Sequence, residues 1–468
     1  MDNSVVFMPL RELAGLVRTR QVSPVELAVF FLDRLENIGP DYNAVVTVTR
    51  ERAMEQARRA ENEIAAGNYK GPLHGIPYGL KDAFATSGGI PTSYGAAPLK
   101  DQTFDYDATV AQDLEKAGAI LAAKLALVEL AGVMVYRQPD ASFTGPGINP
   151  WDRTTWSGGS SSGSASAVCA GLVPFAIGSE TWGSIIRPAN NCGISGLRPT
   201  YGRVSRHGGM ALCWTLDKVG PMCLNADDCG LVLETIAGHD PKDPGSTTRS
   251  YHYEIQTDSR FRLGVLKGSA DGAQEDVLDN FEETLKVLEA TATIEEVEFP
   301  DMPYEEVTRI IMMAESASAF EDFTESGLAA ELKAPEDHYG PYGRTAVLAK
   351  DYLKALRLRS VICRTIDEVM APYDALLAPA RLTVASPIDQ PFLNPARGVL
   401  KDVIGAVGNG AGLPAISVPN GFNDNGLPTG LQIMGRAYEE NRVLSVACAY
   451  QSLTDWHLQH PPDLVPST

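Results

Sequence analysis

The sequence predicts an α/β fold, and three stretches carry that prediction. A short apolar strand closes on Lys81. A helix opening at Asp107-Ala108-Thr109 ends at Gly118 and gives way to a strand over 119–124. An alanine-rich helix over 164–170 precedes a buried apolar strand over 172–177. Strands that alternate with helices in this way build a sheet covered by helices.

The remaining elements follow in order. Ser23-Pro24-Val25-Glu26 reads as a capping box with proline at the first helical position, starting a helix that runs to about Asn37. Its apolar residues Leu27, Ala28, Phe31, Leu32 and Leu35 recur at helical spacing. A second helix, rich in alanine and charge, spans about 49–66 and stops at Gly67. These N-terminal helices read as scaffold or as the surface of a homodimer. His74 is expected to be a structural turn residue. The Gly/Ser loop 86–96 borders a pocket, and 141–152 is a long loop in which Phe143 or Trp151 lines the substrate site. Residues 250–400 match no motif but contain helical segments near 303–330 and 345–370, separated by a Pro/Gly/Tyr loop. Two closing strands are expected at 412–419 and 426–433.

Composition bounds the function. The 468 residues allow one large domain or two. An apolar fraction of 44% with 21% charged residues is that of a globular protein. The formal charge of −20 argues against nucleic-acid or anionic-membrane partners, since no basic patch offsets the repulsion. No apolar run nears the ~18–20 residues of a membrane span. The N-terminus MDNSVVFMPLREL lacks the plan of a secretory signal, so a cytoplasmic protein is expected. Seven cysteines, odd in number and without a C-x-x-C pair, read as reduced and mostly buried thiols.

The densest chemistry lies between Trp156 and Ala189, WSGGSSSGSASAVCAGLVPFAIGSETWGSIIRPA. The run 158–163 has too little side chain to pack and is expected to be a loop with reachable backbone amides. A second turn, Glu180-Thr181-Trp182-Gly183-Ser184, lifts Ser184 off the end of the apolar strand. A flexible linker would not lead straight into a strand and a second ordered turn. A phosphate-binding loop needs Lys-Ser/Thr where Ser164-Ala165 stands. Gly159-Ser160-Ser161-Ser162-Gly163 matches the G-x-S-x-G elbow with Ser161 as nucleophile, but that elbow follows an apolar strand, and here the turn residues 149–153 precede it.

The stretch closely resembles the amidase signature family. Its members carry a GGSS[GS]G run, an alanine-rich helix and a D-T-G-G-S-I-R-x-P-A-like turn, and Gly75-Ile76-Pro77-Tyr78-Gly79-Leu80-Lys81-Asp82 supplies a third motif. Further likeness continues through 191–205, 216–222 and 237–240. The resemblance implies a large mixed β-sheet with helices on both faces, in one domain. Within it, 1–67 is an N-terminal helical segment and 68–250 the catalytic core. Residues 251–400 form a variable substrate-side region, and 401–468 supply closing strands and a C-terminal helix. It also implies a Ser–Ser–Lys triad with Ser184 as nucleophile, Ser160 as the bridging serine 24 positions earlier, and Lys81 as base. Backbone amides of Thr181, Trp182, Gly183 and Ser184 form the implied oxyanion hole. The chain departs from the pattern where Trp182 replaces a glycine, which requires φ below zero there and an indole that either walls the pocket or turns into the core.

These residues permit one chemistry. A serine hydroxyl attacks a carbonyl only when its proton is removed, and a lysine does this when burial lowers its pKa from ~10.4 towards ~7–8. The resulting expectation is an acyl-enzyme hydrolase cleaving amides, esters or carbamates (a urethanase activity) of small aryl or apolar substrates. Phe143, Trp182 and Arg187 are the expected substrate-binding residues. Arg187 either steers a carboxylate or ties the loop to an acid such as Glu180. A catalytic subunit of an aminoacyl-tRNA amidotransferase shares the motifs and is the alternative. No cofactor and no metal are expected.

Overall fold

In the computed structural model, which describes residues 3–132, 137–256, 260–392 and 402–464, eleven strands form one mixed sheet. They are β1 (Val45–Val48), β2 (Pro77–Lys81), β3 (Ile120–Leu125), β4 (Phe175–Glu180), β5 (Ser195–Arg198), β6 (Lys218–Cys223), β7 (Phe261–Leu266), β8 (Ala292–Val297), β9 (Ala375–Pro379), β10 (Ala415–Phe422) and β11 (Pro428–Met434). Their order across the sheet is β1-β3-β2-β4-β6-β5-β10-β11-β9-β7-β8.

Period-two alternation of apolar residues gives the sheet two buried faces. Leu121 and Ile177 pack with the helices Leu10–Arg18, Thr109–Lys116, Ala226–Ile236 and Glu440–Ser452. Ile120, Ala122 and Ala176 face the opposite way, onto Arg50–Ala65 and Ser162–Cys169. The helix Pro24–Asn37 reaches both clusters, with Leu27 and Phe31 on one side and Ala28, Leu32 and Leu35 on the other. The α/β sheet covered on both faces is therefore the observed fold.

The region without motifs is not a separate body. Its helices Tyr304–Ala319 and Ala349–Met370 pack with Val403–Gly410 against Ile186, Leu212 and Leu216 of the core. Its strands β7 and β8 extend the same sheet beyond β9. The boundary expected at residue 400 lies outside the described residues.

Several local expectations shift. Ser23 caps its helix by accepting from the amides of Val25 at 3.0 Å and Glu26 at 3.3 Å, but its hydroxyl donates to Glu61, so only half of a capping box forms. Asp107 does not cap the following helix. It is held by Arg52 at 2.8 and 2.9 Å, and Ala108 takes the cap position without a side-chain bond. The helix after the Gly/Ser run starts at Ser162, inside the expected loop, because Gly163 lets it approach closely: a β-carbon there would strike the Ala44 carbonyl and the Ala126 amide. The strand that follows begins later than expected and runs through Glu180. His74 is buried, accepting from the Lys70 amide and facing Glu63 at 3.0 Å, as a structural residue does. All seven cysteines are free thiols, five of them buried.

Candidate active site

Two parallel neighbours build the site. Leu80 of β2 lies opposite Ile177 of β4, so Lys81 and the pair Ser179-Glu180 leave the sheet at one edge. Lys81 is completely buried. Its Nζ lies 2.8 Å from Ser160 Oγ, 3.0 Å from Ser161 Oγ, 3.0 Å from Ser179 Oγ and 3.3 Å from the Ser179 carbonyl. Among the described residues no carboxylate forms an ion pair with it. Burial without a counter-ion lowers its pKa to about 7, against the weaker opposing pull of Asp217 and Glu180.

A second lysine makes the contrast. Lys124, on the adjacent β3, is equally buried but lies 3.0 Å from the Asp82 carboxylate and donates to Thr92 at 2.7 Å. Burial lowers the pKa of Lys124 as well, against the pull of Asp82; what sets Lys81 apart from it is a set of hydroxyl and carbonyl partners in place of a carboxylate.

The Ser184 turn is clamped from several sides. Glu180 accepts from the amides of Ile185 at 2.8 Å and Ile186 at 3.0 Å, and from Arg198 at 2.8 Å. Despite complete burial, these partners hold its carboxylate down at about 2. The Thr181 hydroxyl donates to Asp217 at 2.6 Å, and Lys218 donates to the Thr181 carbonyl at 3.3 Å. Burial and Arg198 depress the Lys218 pKa. The two serine turns touch where the Ser161 amide donates to the Ser184 carbonyl at 3.3 Å. Among the described residues the backbone amides of Trp182, Gly183 and Ser184 meet no acceptor.

Gly183 carries φ of 82°, and Trp182 stays outside the left-handed region, as its β-carbon requires. The indole is half-buried among the helices of the variable region, donates to Asp402 at 2.8 Å and has Arg309 5.5 Å from its ring centre. Arg187 is not tied to Glu180, because Arg198 fills that place. Its guanidinium lies beside Gly183, and among the described residues its Nε has no partner. Phe143 is half-buried on a loop whose amide donates to the Gly95 carbonyl at 3.1 Å. Beside Ser179 and Thr181, a cavity of about 550 Å³ opens between Phe84, Ala131, Met210 and Trp214. Sequence reasoning missed Ser161 and Ser179 as lysine partners, and missed Asp217 and Asp402, which only the folded chain brings to the turn.

A buried lysine among serines thus stands beside a turn with open amides at the edge of a mixed α/β sheet. The chain belongs to the amidase family, hydrolases acting on C–N bonds, whose model matches residues 26–444. It is 36% identical to a glutamyl-tRNA(Gln) amidotransferase subunit from Carboxydothermus hydrogenoformans, over 97% of this chain and 99% of that one. The peptide amidase of Stenotrophomonas maltophilia superposes with a TM-score of 0.83 at 28% identity, covering 98% and 99% of the two chains. A bacterial aryl acylamidase shares the fold, with a TM-score of 0.85 at 23% identity over 96% and 98%. Among the described residues no helix is long and apolar enough to cross a membrane.

Proposed function

We propose that the protein cleaves amides through Ser184 as nucleophile, Ser160 as proton relay and Lys81 as base. The observation that carries this reading is the 2.8 Å contact between Ser160 and a lysine that is buried without a counter-ion. Neutral Lys81 takes the Ser160 proton as Ser160 takes that of Ser184, and Ser184 attacks the carbonyl. The amides of Thr181, Trp182, Gly183 and Ser184 receive the developing oxyanion, each donor worth on the order of 10²–10³ in rate. The amine leaves with the returned proton, and water repeats the sequence on the acyl-enzyme.

The substrate we infer is a small molecule with an apolar or aryl group, an amide first and a carbamate or ester by the same attack. Trp182 and Phe143 supply apolar walls. Arg187 receives an anionic group, a role supported by its guanidinium lying beside Gly183 of the turn. The chain is read as one domain, with 251–400 as its cover.

The curated relatives favour a second reading, the catalytic subunit of an aminoacyl-tRNA amidotransferase, supported by identity along nearly the whole chain. There the same C–N cleavage would serve a partner protein. Assaying the purified chain alone on anilides, primary amides, aryl esters and carbamates separates the two. Turnover of several classes without a partner supports the stand-alone hydrolase. Activity that requires an added partner protein supports the amidotransferase.

A further inference from the structure

We propose that Lys218 is a positioning residue of the oxyanion hole, strengthening the Trp182 N–H by holding the carbonyl of the same peptide unit. The proposal rests on the hydrolase reading above and adds a residue to it. The register between β4 and β6 sets Lys218 directly across from Glu180, the last strand residue before the Ser184 turn. From there Nζ donates to the Thr181 carbonyl at 3.3 Å and to the Leu216 carbonyl. Two carbonyls take two N–H groups, which an amine supplies as well as an ammonium does. Both bonds therefore persist whichever way the lysine is protonated.

Nothing about the placement of Lys218 is explained by charge pairing. It is buried, and the two carboxylates acting on it are committed elsewhere. Glu180 pairs with Arg198 at 2.8 Å. Asp217 accepts from the Thr181 hydroxyl at 2.6 Å and from the amides of Leu212 at 2.8 Å and Cys213 at 2.9 Å. Among the described residues no carboxylate forms an ion pair with Lys218. A lysine buried in this way costs stability that an apolar side chain of equal length would not. What it reaches is the turn. The Thr181 carbonyl and the Trp182 N–H are the two ends of one planar, conjugated peptide. A donor on the oxygen draws electron density across the C–N bond, makes the N–H a stronger donor and fixes the plane in which it points. A whole oxyanion donor is worth on the order of 10²–10³ in rate, and reinforcing one by roughly a tenth to a third is worth about threefold to tenfold.

The test compares Lys218→Met, whose unbranched chain fills similar space, with wild type. Three quantities are read: kcat and KM on an anilide, the inhibition constant of a trifluoromethyl ketone, and the Trp182 amide resonance in tryptophan-¹⁵N-labelled protein. The ketone is chosen because attack on it by Ser184 leaves a stable oxyanion. The expected result is a threefold to tenfold fall in kcat at unchanged KM, ketone binding weaker by the same factor, and an upfield shift of the Trp182 amide proton. Lys218→Gln, polar but too short to reach the Thr181 carbonyl, should behave alike and serves where the methionine variant does not fold. A role confined to packing would lower the melting temperature while leaving kcat and the Trp182 resonance where they were, which would overturn the proposal. So would an equal loss of affinity for anilide and ketone. Ser184→Ala is the control: if it keeps its rate, the hydrolase reading fails on that ground alone, while the Trp182 resonance, which needs no turnover, still decides whether Lys218 polarises the peptide.

Discussion

Trp182 donates its indole N–H to the carboxylate of Asp402 at 2.8 Å, tying the Ser184 turn to the helix Val403–Gly410. The residue that breaks the family's glycine pattern thus joins the Ser184 turn to a helix that packs with Tyr304–Ala319 and Ala349–Met370. Trp182→Gly should lower the melting temperature, because a hydrogen bond to a charged group contributes ~1.5–3 kcal/mol and the ring leaves its cluster. It should also widen acceptance of bulky groups and weaken an aryl preference. Relative kcat/KM values over a series of anilides check this, and an unchanged ranking would remove Trp182 from substrate choice.

Ser184→Ala should abolish turnover, by a factor on the order of 10⁶ if Ser184 is the nucleophile. An acylating probe should label Ser184 in wild type and nothing in the variant. Labelling of Ser161 instead would restore the G-x-S-x-G reading and overturn the triad.

The rate should rise with pH through about 7, as Lys81 loses its proton, and then level off. A profile flat down to pH 5, with chemistry rate-limiting, is incompatible with a lysine base.

The same lysine gives a stability prediction of definite sign. Its folded pKa of about 7 lies below the 10.5 of the free side chain, so the unfolded chain binds more protons between these values and stability climbs with pH across that window. Near neutrality the penalty is on the order of 4 kcal/mol. Lys81→Met removes it, offset by hydroxyls left without their partner, while ending activity. Melting curves should show the variant gaining on wild type most at pH 6 and least above pH 10. A pH-independent difference would contradict the buried, uncompensated amine.

Glu180 also makes stability climb with pH, but because its charged form is stabilised in the fold rather than penalised. Its folded pKa of about 2 lies below the ordinary 4.5, which contributes on the order of 3 kcal/mol above pH 4.5 and is lost as pH falls towards 2. Glu180→Gln leaves Arg198 buried without its charge partner and should cost about 3–5 kcal/mol, read from denaturant midpoints. A variant as stable as wild type would mean that the clamp on the turn contributes nothing.

What was legible in the sequence depended on whether the cause was local. Ser23 capping, the strand ending at Lys81 and the turn over 180–184 are set by neighbours in the chain, and they were readable. The start of the helix at Ser162 was not, because it depends on how closely Gly163 approaches Ala44 and Ala126. The sequence offered Arg187 as a partner of Glu180, and only the placement of β5 brings Arg198 to that acid instead. Asp402 lies 220 positions from Trp182, a separation across which no periodicity speaks.

The strand order has a consequence for how the molecule is made. β5 ends at Arg198, yet the neighbour on its outer side is β10, where Ile416 pairs with Leu197. A ribosome that has already released Lys81, Ser160 and Ser184 adds β6 within a few tens of residues, but it must make more than two hundred residues after β5 before the outer edge of β5 acquires its partner. Until then β5 presents an unsatisfied edge, a template for the wrong partner. Assembly of the site during synthesis is thus governed by the last tenth or so of the chain, and chaperone demand should fall sharply once β10 and β11 have emerged.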